Sequence, residues 1–300
     1  MSGVFILTET LKILVTGAAG LLGEDVVRVL RSLGHEVFEI KDEKDVDLRN
    51  SEKTVETILK FRPEVVIHCA GTHDIDGVER NPKSSYDNIV LSTRNVVDAC
   101  KMLEAVLVYP GSDYIFDGNK NEPYVESDAP NPLNIYGKAK LACEKIITGE
   151  LSKYFIIRLP ILFGSGGSKN GNIIHKTYSE IKAGKSIMVS RDQVSSCGYT
   201  ADVAKAFATI LRTDHFGIYH LANQGYCSRY ELYKEIARNL SLPVEKVIPC
   251  SSDELRRPAK RPRYTVLNTD LLERTFRITL KHWKDALTEC IDEFKKRYNI

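Results

Sequence analysis

The chain has 300 residues, enough for two domains or one two-lobed unit with a sizeable core. Hydrophobic residues make up 43% and charged residues 27%, which excludes a largely disordered chain, a fibre or a small disulfide scaffold. Lys and Arg number 42 against 40 Asp and Glu, and a net charge of +2 exerts no global pull on nucleic acid or anionic lipid.

Lys12–Thr16 is a short apolar run ending in glycines, which predicts a buried strand. The turn Thr16-Gly17-Ala18-Ala19-Gly20-Leu21-Leu22-Gly23 follows, and Val26, Val27, Val29 and Leu30 then recur at helical spacing. In this GxxGxxG pattern Gly17 permits a tight turn, Gly20 lets backbone approach a phosphate, and Gly23 lets helix and strand pack closely. The helix start at Leu21 and Leu22 offers N–H groups and partial positive charge to a pyrophosphate. A tight turn without a ligand uses the same residues, but the strand-before, helix-after setting favours a nucleotide.

Residues 35–40 read as a second strand. The next position, where an NAD site usually places an acid for the ribose hydroxyls, is Lys41, followed by Asp42. A cation there tolerates a 2′-phosphate. The reading therefore leans to NADP(H) over NAD(H), although a solvated loop charge accounts for Lys41 equally well. Asp47 and Leu48, in the next loop, are candidates for the adenine end.

Ser51–Phe61 is an amphipathic helix with Val55, Ile58 and Leu59 inward, closed by Pro63. A strand at 64–68, a helix at 88–103, a strand at 105–109, a helix at 136–151 and a strand at Tyr154–Leu159 follow. Strands alternating with helices predict an α/β fold with a Rossmann-type, doubly wound parallel sheet. The expected division is a dinucleotide-binding domain over 11–168 and a smaller, mainly substrate-binding lobe over 169–300. The lobe is interleaved with the domain through a return strand at 217–221. Residues 163–172 are glycine-rich; the stretch 164–167 lacks a P-loop GK[ST] and reads as a mobile loop over the substrate. Helices are expected at 174–183, 229–240 and 279–298.

Tyr136 and Lys140 stand at i and i+4 on one helix face. A lysine ammonium beside a tyrosine lowers the phenol pKa and makes it usable as a general acid or base for carbonyl chemistry. Lys140 is also placed to hold a nicotinamide ribose. Ser112 lies at the C-terminal end of the strand before, where ligands of open α/β sheets bind, and its hydroxyl suits a carbonyl developing negative charge. Taken alone, the tyrosine–lysine pair fits an exposed helix and the serine fits a self-capping turn.

Glycines 17, 20 and 23, then Ser112, then Tyr136 and Lys140, resemble the extended short-chain dehydrogenase/reductase superfamily. Arg62-Pro63-Glu64-Val65-Val66-Ile67, the run from Gly111 to Gly118, the run from Asn131 to Leu141, and Arg261-Pro262-Arg263 resemble the dTDP-4-dehydrorhamnose reductase family. The likeness runs from Lys12 to Phe294. It implies that Ser112, Tyr136 and Lys140 are a catalytic triad, with Ser112 where that family usually has Thr. It implies that Ala70, Gly71 and Thr72 line the cofactor, and that Ser112, Asp113 and Tyr136 touch the sugar. Ile161 stands where the family commonly has a substrate-contacting Trp. Asp25 occupies a position that binds a divalent ion in some members, and no metal is expected here.

The implied function is NAD(P)H-dependent reduction of the 4-keto group of a nucleotide-linked deoxysugar such as dTDP-4-dehydrorhamnose. The Leu-Pro-Ile-Leu-Phe-Gly segment at 159–164 instead resembles a sister branch, the regulatory β subunit of methionine adenosyltransferase, a non-catalytic NADP-binding partner. A reductase or epimerase on another nucleotide sugar is a third reading.

Arg256, Arg257, Lys260, Arg261 and Arg263 form a basic stretch that suits a nucleotide-sugar diphosphate, with Arg261 the candidate contact. A solvated loop is the plainer reading, and the absence of interleaved aromatics disfavours nucleic acid. His68 and His73 lie near the expected crevice and suit core or supporting roles. None of the seven cysteines forms a CxxC pair, and they read as reduced thiols of a cytoplasmic protein. No apolar run approaches the roughly 18 residues that span a bilayer, and Val4–Leu7 is too short a run for a signal peptide. A homodimer is open as a partner, and no membrane partner is expected.

Overall fold

The structure, a computed structural model, describes residues 10–72, 74–167 and 171–300. The Val4–Leu7 run, read as too short for a signal peptide, and the expected crevice residue His73 lie outside the described residues. The first half alternates as expected: β1 (Lys12–Thr16), α1 (Leu21–Ser32), β2 (Glu36–Ile40), α2 (Ser51–Phe61), β3 (Val65–His68), α3 (Ile75–Arg80), α4 (Pro82–Leu103), β4 (Val106–Ser112), α5 (Ile135–Glu150) and β5 (Tyr154–Leu159). Local chemistry sets the boundaries. Asn50 Oδ1 accepts from Lys53 N and starts α2, while Asn134 Oδ1 accepts from Gly137 N and starts α5. Ile13, Leu14 and Val15 in β1 and Val66 and Ile67 in β3 are wholly buried, as the strands of a sheet covered on both faces must be.

The second half contains β6 (Ile161–Phe163), α6 (Ile173–Lys182), β7 (Ile187–Ser190), β8 (Val194–Tyr199), α7 (Thr200–Ile210), β9 (Gly217–His220), β10 (Asn223–Ser228), α8 (Arg229–Asn239), β11 (Val247–Cys250), β12 (Tyr264–Thr265), α9 (Asp270–Phe276) and α10 (Trp283–Tyr298). One parallel sheet has the order β2-β1-β3-β4-β5-β9. The chain leaves β1 for the edge at β2, then returns to the other side of β1 as β3. That reversal opens a crevice at the C-terminal ends of the strands.

α7 and β9 come late in the chain but belong to this first layer: Val203, Ala204 and Phe207 share a core with Val26 and Leu30 of α1. The second lobe is built on β8, which pairs with β10, β12 and β6, and on the parallel pair β7–β11. Its core joins Ile174, Ile236, Trp283, Leu287 and Phe294. Among the described residues no helix is long and apolar enough to cross a membrane.

Candidate active site

The ends of β1, β3, β4 and β5 open into a cavity of about 470 Å³, a size typical of small-molecule sites. The turn after β1 forms one end. Gly17 has φ +65°, and a Cβ on it would lie 2.6 Å from Ala70 N, so the turn is pressed against the segment after β3. A Cβ on Gly23 would collide with the Gly17 carbonyl, so α1 begins directly on the turn. A Cβ on Gly20 would meet only the Gly17 carbonyl oxygen, at 3.1 Å. Gly20, Leu21, Leu22 and Gly23 line the cavity, and α1 has no side-chain cap. Its first-turn N–H groups are thus left for an anion. Ala70, Gly71 and Thr72 line the adjoining wall. This donor set fits the pyrophosphate of a dinucleotide.

Lys41, Asp47 and Leu48 are not on the cavity wall. Lys41 is exposed one residue beyond Ile40, whose carbonyl accepts from Ala18 N of the glycine turn at 3.1 Å. Asp47 is engaged by Arg49 through Nε at 2.7 Å and Nη2 at 2.8 Å. Leu48 is buried in the core behind β1, and its carbonyl accepts from Asn95. Asp47 is thus paired with Arg49 at the surface, and Leu48 packs in the core.

Strand β4 runs past its expected end at 109 to Ser112, and a single 3-10 turn, Asp113–Ile115, follows. A Cβ on Gly137 would collide with the Tyr114 carbonyl, so the first turn of α5 sits directly on that 3-10 turn. This contact brings the Tyr136 side chain beside Ser112, both on the cavity wall. Ser112 Oγ also accepts from Tyr114 N at 3.2 Å and donates to Asp113 Oδ1 at 3.4 Å. One turn on, Lys140 Nζ donates to the Pro110 carbonyl at 2.6 Å and lies 4.2 Å from the Tyr109 ring centre.

The lowered phenol pKa expected from Lys140 is not found. Burial pushes Tyr136 up to about 12, the Ser112 hydroxyl beside it opposes this, and the Asp113 charge adds to it. The Lys140 ammonium is directed at the Pro110 carbonyl, and burial draws its own pKa down. Tyr136 is therefore a neutral phenol near neutral pH, the form that donates a proton. Asp113 is buried, accepts from Thr265 Oγ1 at 2.6 Å, and is raised to about 6, chiefly by burial.

The opposite end of the cavity is basic and apolar. Ile161 and Leu162 form a wall with Met188 and Val189. The basic stretch divides: Arg257 and Arg261 line the cavity, while Arg263 faces Asp253 at 3.7 Å on the surface. Arg261 is tied to Asp76 of α3 and donates to the Ala259 carbonyl at 2.7 Å. Arg229, at the first position of α8, also lines the cavity, and its Nη1 is buried with no hydrogen-bond partner. Sequence reasoning missed it. The Ser228–Glu231 capping box marks the helix start, but nothing in the sequence shows which way Arg229 points.

The described part of the glycine loop, 164–167, is tied down rather than free. Gly167 N donates to Glu24, Asn172 Nδ2 donates to the Gly164 and Gly166 carbonyls, and Ser165 donates to Glu293. His68 is a core residue that joins Thr16 at 2.7 Å and Thr93 at 3.3 Å; burial holds its pKa near 3, so the ring is neutral. Asp25 is held by Arg28 and by Thr200, and among the described residues no group of three or more acidic, His or Cys side chains is arranged to hold a metal.

A doubly wound sheet, a glycine turn under an uncapped helix, and serine, tyrosine and lysine gathered across one cavity define the extended short-chain dehydrogenase/reductase class. More narrowly, the family model described as RmlD substrate binding domain matches residues 11–296, and the chain belongs to that family. A dTDP-4-dehydrorhamnose reductase of Streptomyces griseus is 31% identical over 282 residues, covering 92% of this chain and 91% of that protein. The crystal structure of dTDP-4-dehydrorhamnose reductase from Bacillus anthracis in complex with NADP is similar with a TM-score of 0.89 at 30% identity, covering 95% of this chain and 100% of that one. Methionine adenosyltransferase 2 subunit beta of Danio rerio is 30% identical over 283 residues, covering 87% of this chain and 84% of that protein.

Proposed function

We propose that the protein reduces the 4-keto group of a nucleotide-linked 6-deoxy sugar of the dTDP-4-dehydrorhamnose kind, with NADP(H) as the favoured dinucleotide and NAD(H) as the alternative. The observation that carries this reading is the Ser112–Tyr136–Lys140 cluster, set between the uncapped start of α1 and the cations Arg229, Arg257 and Arg261. The similarity to the NADP complex from Bacillus anthracis supports the dinucleotide.

Bound at the glycine turn, the dinucleotide supplies the hydride for the sugar carbonyl carbon. The chain's own residues do the rest. The first turn of α1 holds the pyrophosphate through backbone N–H groups. Lys140 holds the nicotinamide ribose. Ser112 donates to the carbonyl oxygen as negative charge develops, and Tyr136, neutral at working pH, delivers its proton there. Arg229, whose Nη1 has no partner among the described residues, takes the sugar diphosphate together with Arg257 and Arg261. Ile161 contacts the sugar. Seven unpaired thiols support a cytoplasmic setting.

The experiment for this reading is Tyr136→Phe with both binding and turnover measured. Dinucleotide affinity holds and turnover falls; retained turnover contradicts the assigned proton donor. The likeness to the Danio rerio subunit and the Leu-Pro-Ile-Leu-Phe-Gly segment favour a second reading, a regulatory partner of methionine adenosyltransferase. Calorimetric titration of a methionine adenosyltransferase catalytic subunit with this protein distinguishes the two.

A further inference from the structure

Helix α5 turns one face to β4 for three successive turns. Tyr136 meets Ser112, Lys140 meets the Pro110 carbonyl, and Glu144, four residues further, lies against Gly111. A Cβ on Gly111 would stand 3.0 Å from Glu144 Oε1 and 3.1 Å from Arg158 Cγ. Arg158 of β5 holds the carboxylate: Nη2 donates to Oε2 at 2.9 Å, and Nε reaches both oxygens at 3.2 Å. The two side chains are only 4% and 3% exposed. The remaining Arg158 nitrogen, Nη1, donates to the Glu126 carbonyl at 3.1 Å and lies 3.4 Å from His220 Nε2. Well-packed apolar residues often stabilise a fold as well as a buried ion pair does. A pair placed directly behind the reacting groups therefore asks for a reason beyond stability.

The groups facing Lys140 give one. On its own helix these are Cys143, Glu144 and Tyr136. His68 and Cys69 face it from the end of β3, and Tyr109 faces it from β4. His68 is neutral, and burial pushes Cys69 up to about 12 and Tyr109 well above the usual phenol range. Cys143 Sγ donates to the Ile89 carbonyl at 3.7 Å, and Cys143 acts on Lys140 in the same direction as Glu144. Glu144 is the carboxylate of the set, and it opposes the burial that disfavours the Lys140 ammonium.

We propose that Glu144, clamped by Arg158, is a positioning residue that seats Tyr136 and Lys140 against the end of β4 and supplies the counter-charge of the Lys140 ammonium. The consequence for turnover rests on the function proposed above; the seating and the counter-charge do not.

Glu144→Gln removes the charge and keeps the shape. Because an orphaned Arg158 destabilises the fold, the double variant Glu144→Gln/Arg158→Met is made alongside it. The first readout is an NMR titration of the Lys140 side-chain amine in the ligand-free protein, assigned by its loss in Lys140→Met. The Lys140 midpoint falls in Glu144→Gln, by about one pH unit, which is a tenfold loss of proton affinity, and lies nearer its original value in the double variant, where both charges of the pair are gone. The second readout uses NADPH and dTDP-4-dehydrorhamnose: kcat falls about tenfold, the KM for the sugar holds, and the alkaline limb of kcat moves to lower pH with the lysine. The double variant recovers thermal stability without recovering kcat, and Glu144→Asp returns the limb toward its original position. An unmoved Lys140 midpoint overturns the proposal, as does activity that merely follows thermal stability across the variants. If the unaltered protein does not oxidise NADPH while the Lys140 midpoint still moves, the assigned reaction fails and the positioning role stands.

Discussion

Tyr136 shows how two local effects compete at one residue. A lysine one helical turn away favours phenolate, but burial acts on the whole ring and Lys140 is engaged elsewhere, so the phenol wins. Tyr136→Phe is expected to lower kcat by about 10²–10⁴, the usual worth of a positioned proton donor. NADPH affinity, followed by calorimetry, should stay within about twofold, because the hydroxyl is assigned no cofactor contact comparable to the α1 turn.

Asp113 gives a pH test with a definite sign. Its carboxyl is raised from 3.8 to about 6 in the fold. The native state therefore holds this proton more tightly than the unfolded chain. The resulting stability is present below pH 4 and is lost as pH rises through 6, by up to about 3 kcal/mol. The melting temperature of Asp113→Asn should gain on that of the unaltered protein between pH 4 and pH 7. Parallel melting curves across that range contradict the assigned burial.

At the scale of elements, the site depends on where α5 begins. Asn134 caps it and Gly137 seats it on the Tyr114 carbonyl. Asn134→Ala should cost about 1 kcal/mol in urea denaturation, as cap losses typically do, and should lower kcat by displacing Tyr136. The same contrast separates what the sequence discloses from what it hides. β1, α1, α2 and β3 are legible because apolar periodicity, an asparagine cap and glycines all agree there. The glycine turn, Ser112, Tyr136 and Lys140 are legible for a related reason: each sits at a strand end or helix start that the pattern locates. β8 is not legible, because Val194-Ser195-Ser196-Cys197-Gly198-Tyr199 carries no apolar alternation and is buried by its neighbours' side chains rather than its own. α7 follows it without a break, and its polar face narrows to Lys205 and Thr209, the exposed residues of an otherwise buried helix. Arg229 and the Glu144–Arg158 pair depend on contacts between elements far apart in sequence, which no local pattern encodes.

At the scale of the molecule, the cavity is closed by two parts of the chain that are tied to each other by polar contacts. Arg261, late in the sequence, pairs with Asp76 of α3 in the first layer, and Ala259 N donates to the same carboxylate at 3.2 Å. Arg229 also lines the cavity, and its Nη1 has no such partner among the described residues. A charge-assisted bond to a phosphate is worth about 1.5–3 kcal/mol. Arg229→Met should therefore raise the KM for the nucleotide sugar roughly tenfold to a hundredfold and leave dinucleotide binding unchanged. Arg261→Ala should add a loss of thermal stability, because it also opens the tie to Asp76. Equal effects of Arg229→Met on both ligands would place this arginine outside the sugar's end of the cavity.

The most direct test of the proposed reaction is to mix the protein with NADPH and dTDP-4-dehydrorhamnose and follow nicotinamide absorbance. Oxidation is expected to stop when the sugar is consumed, to slow steeply in Tyr136→Phe, and to proceed faster with NADPH than with NADH. Tight NADPH binding with no oxidation in the presence of the sugar would contradict the proposed reaction.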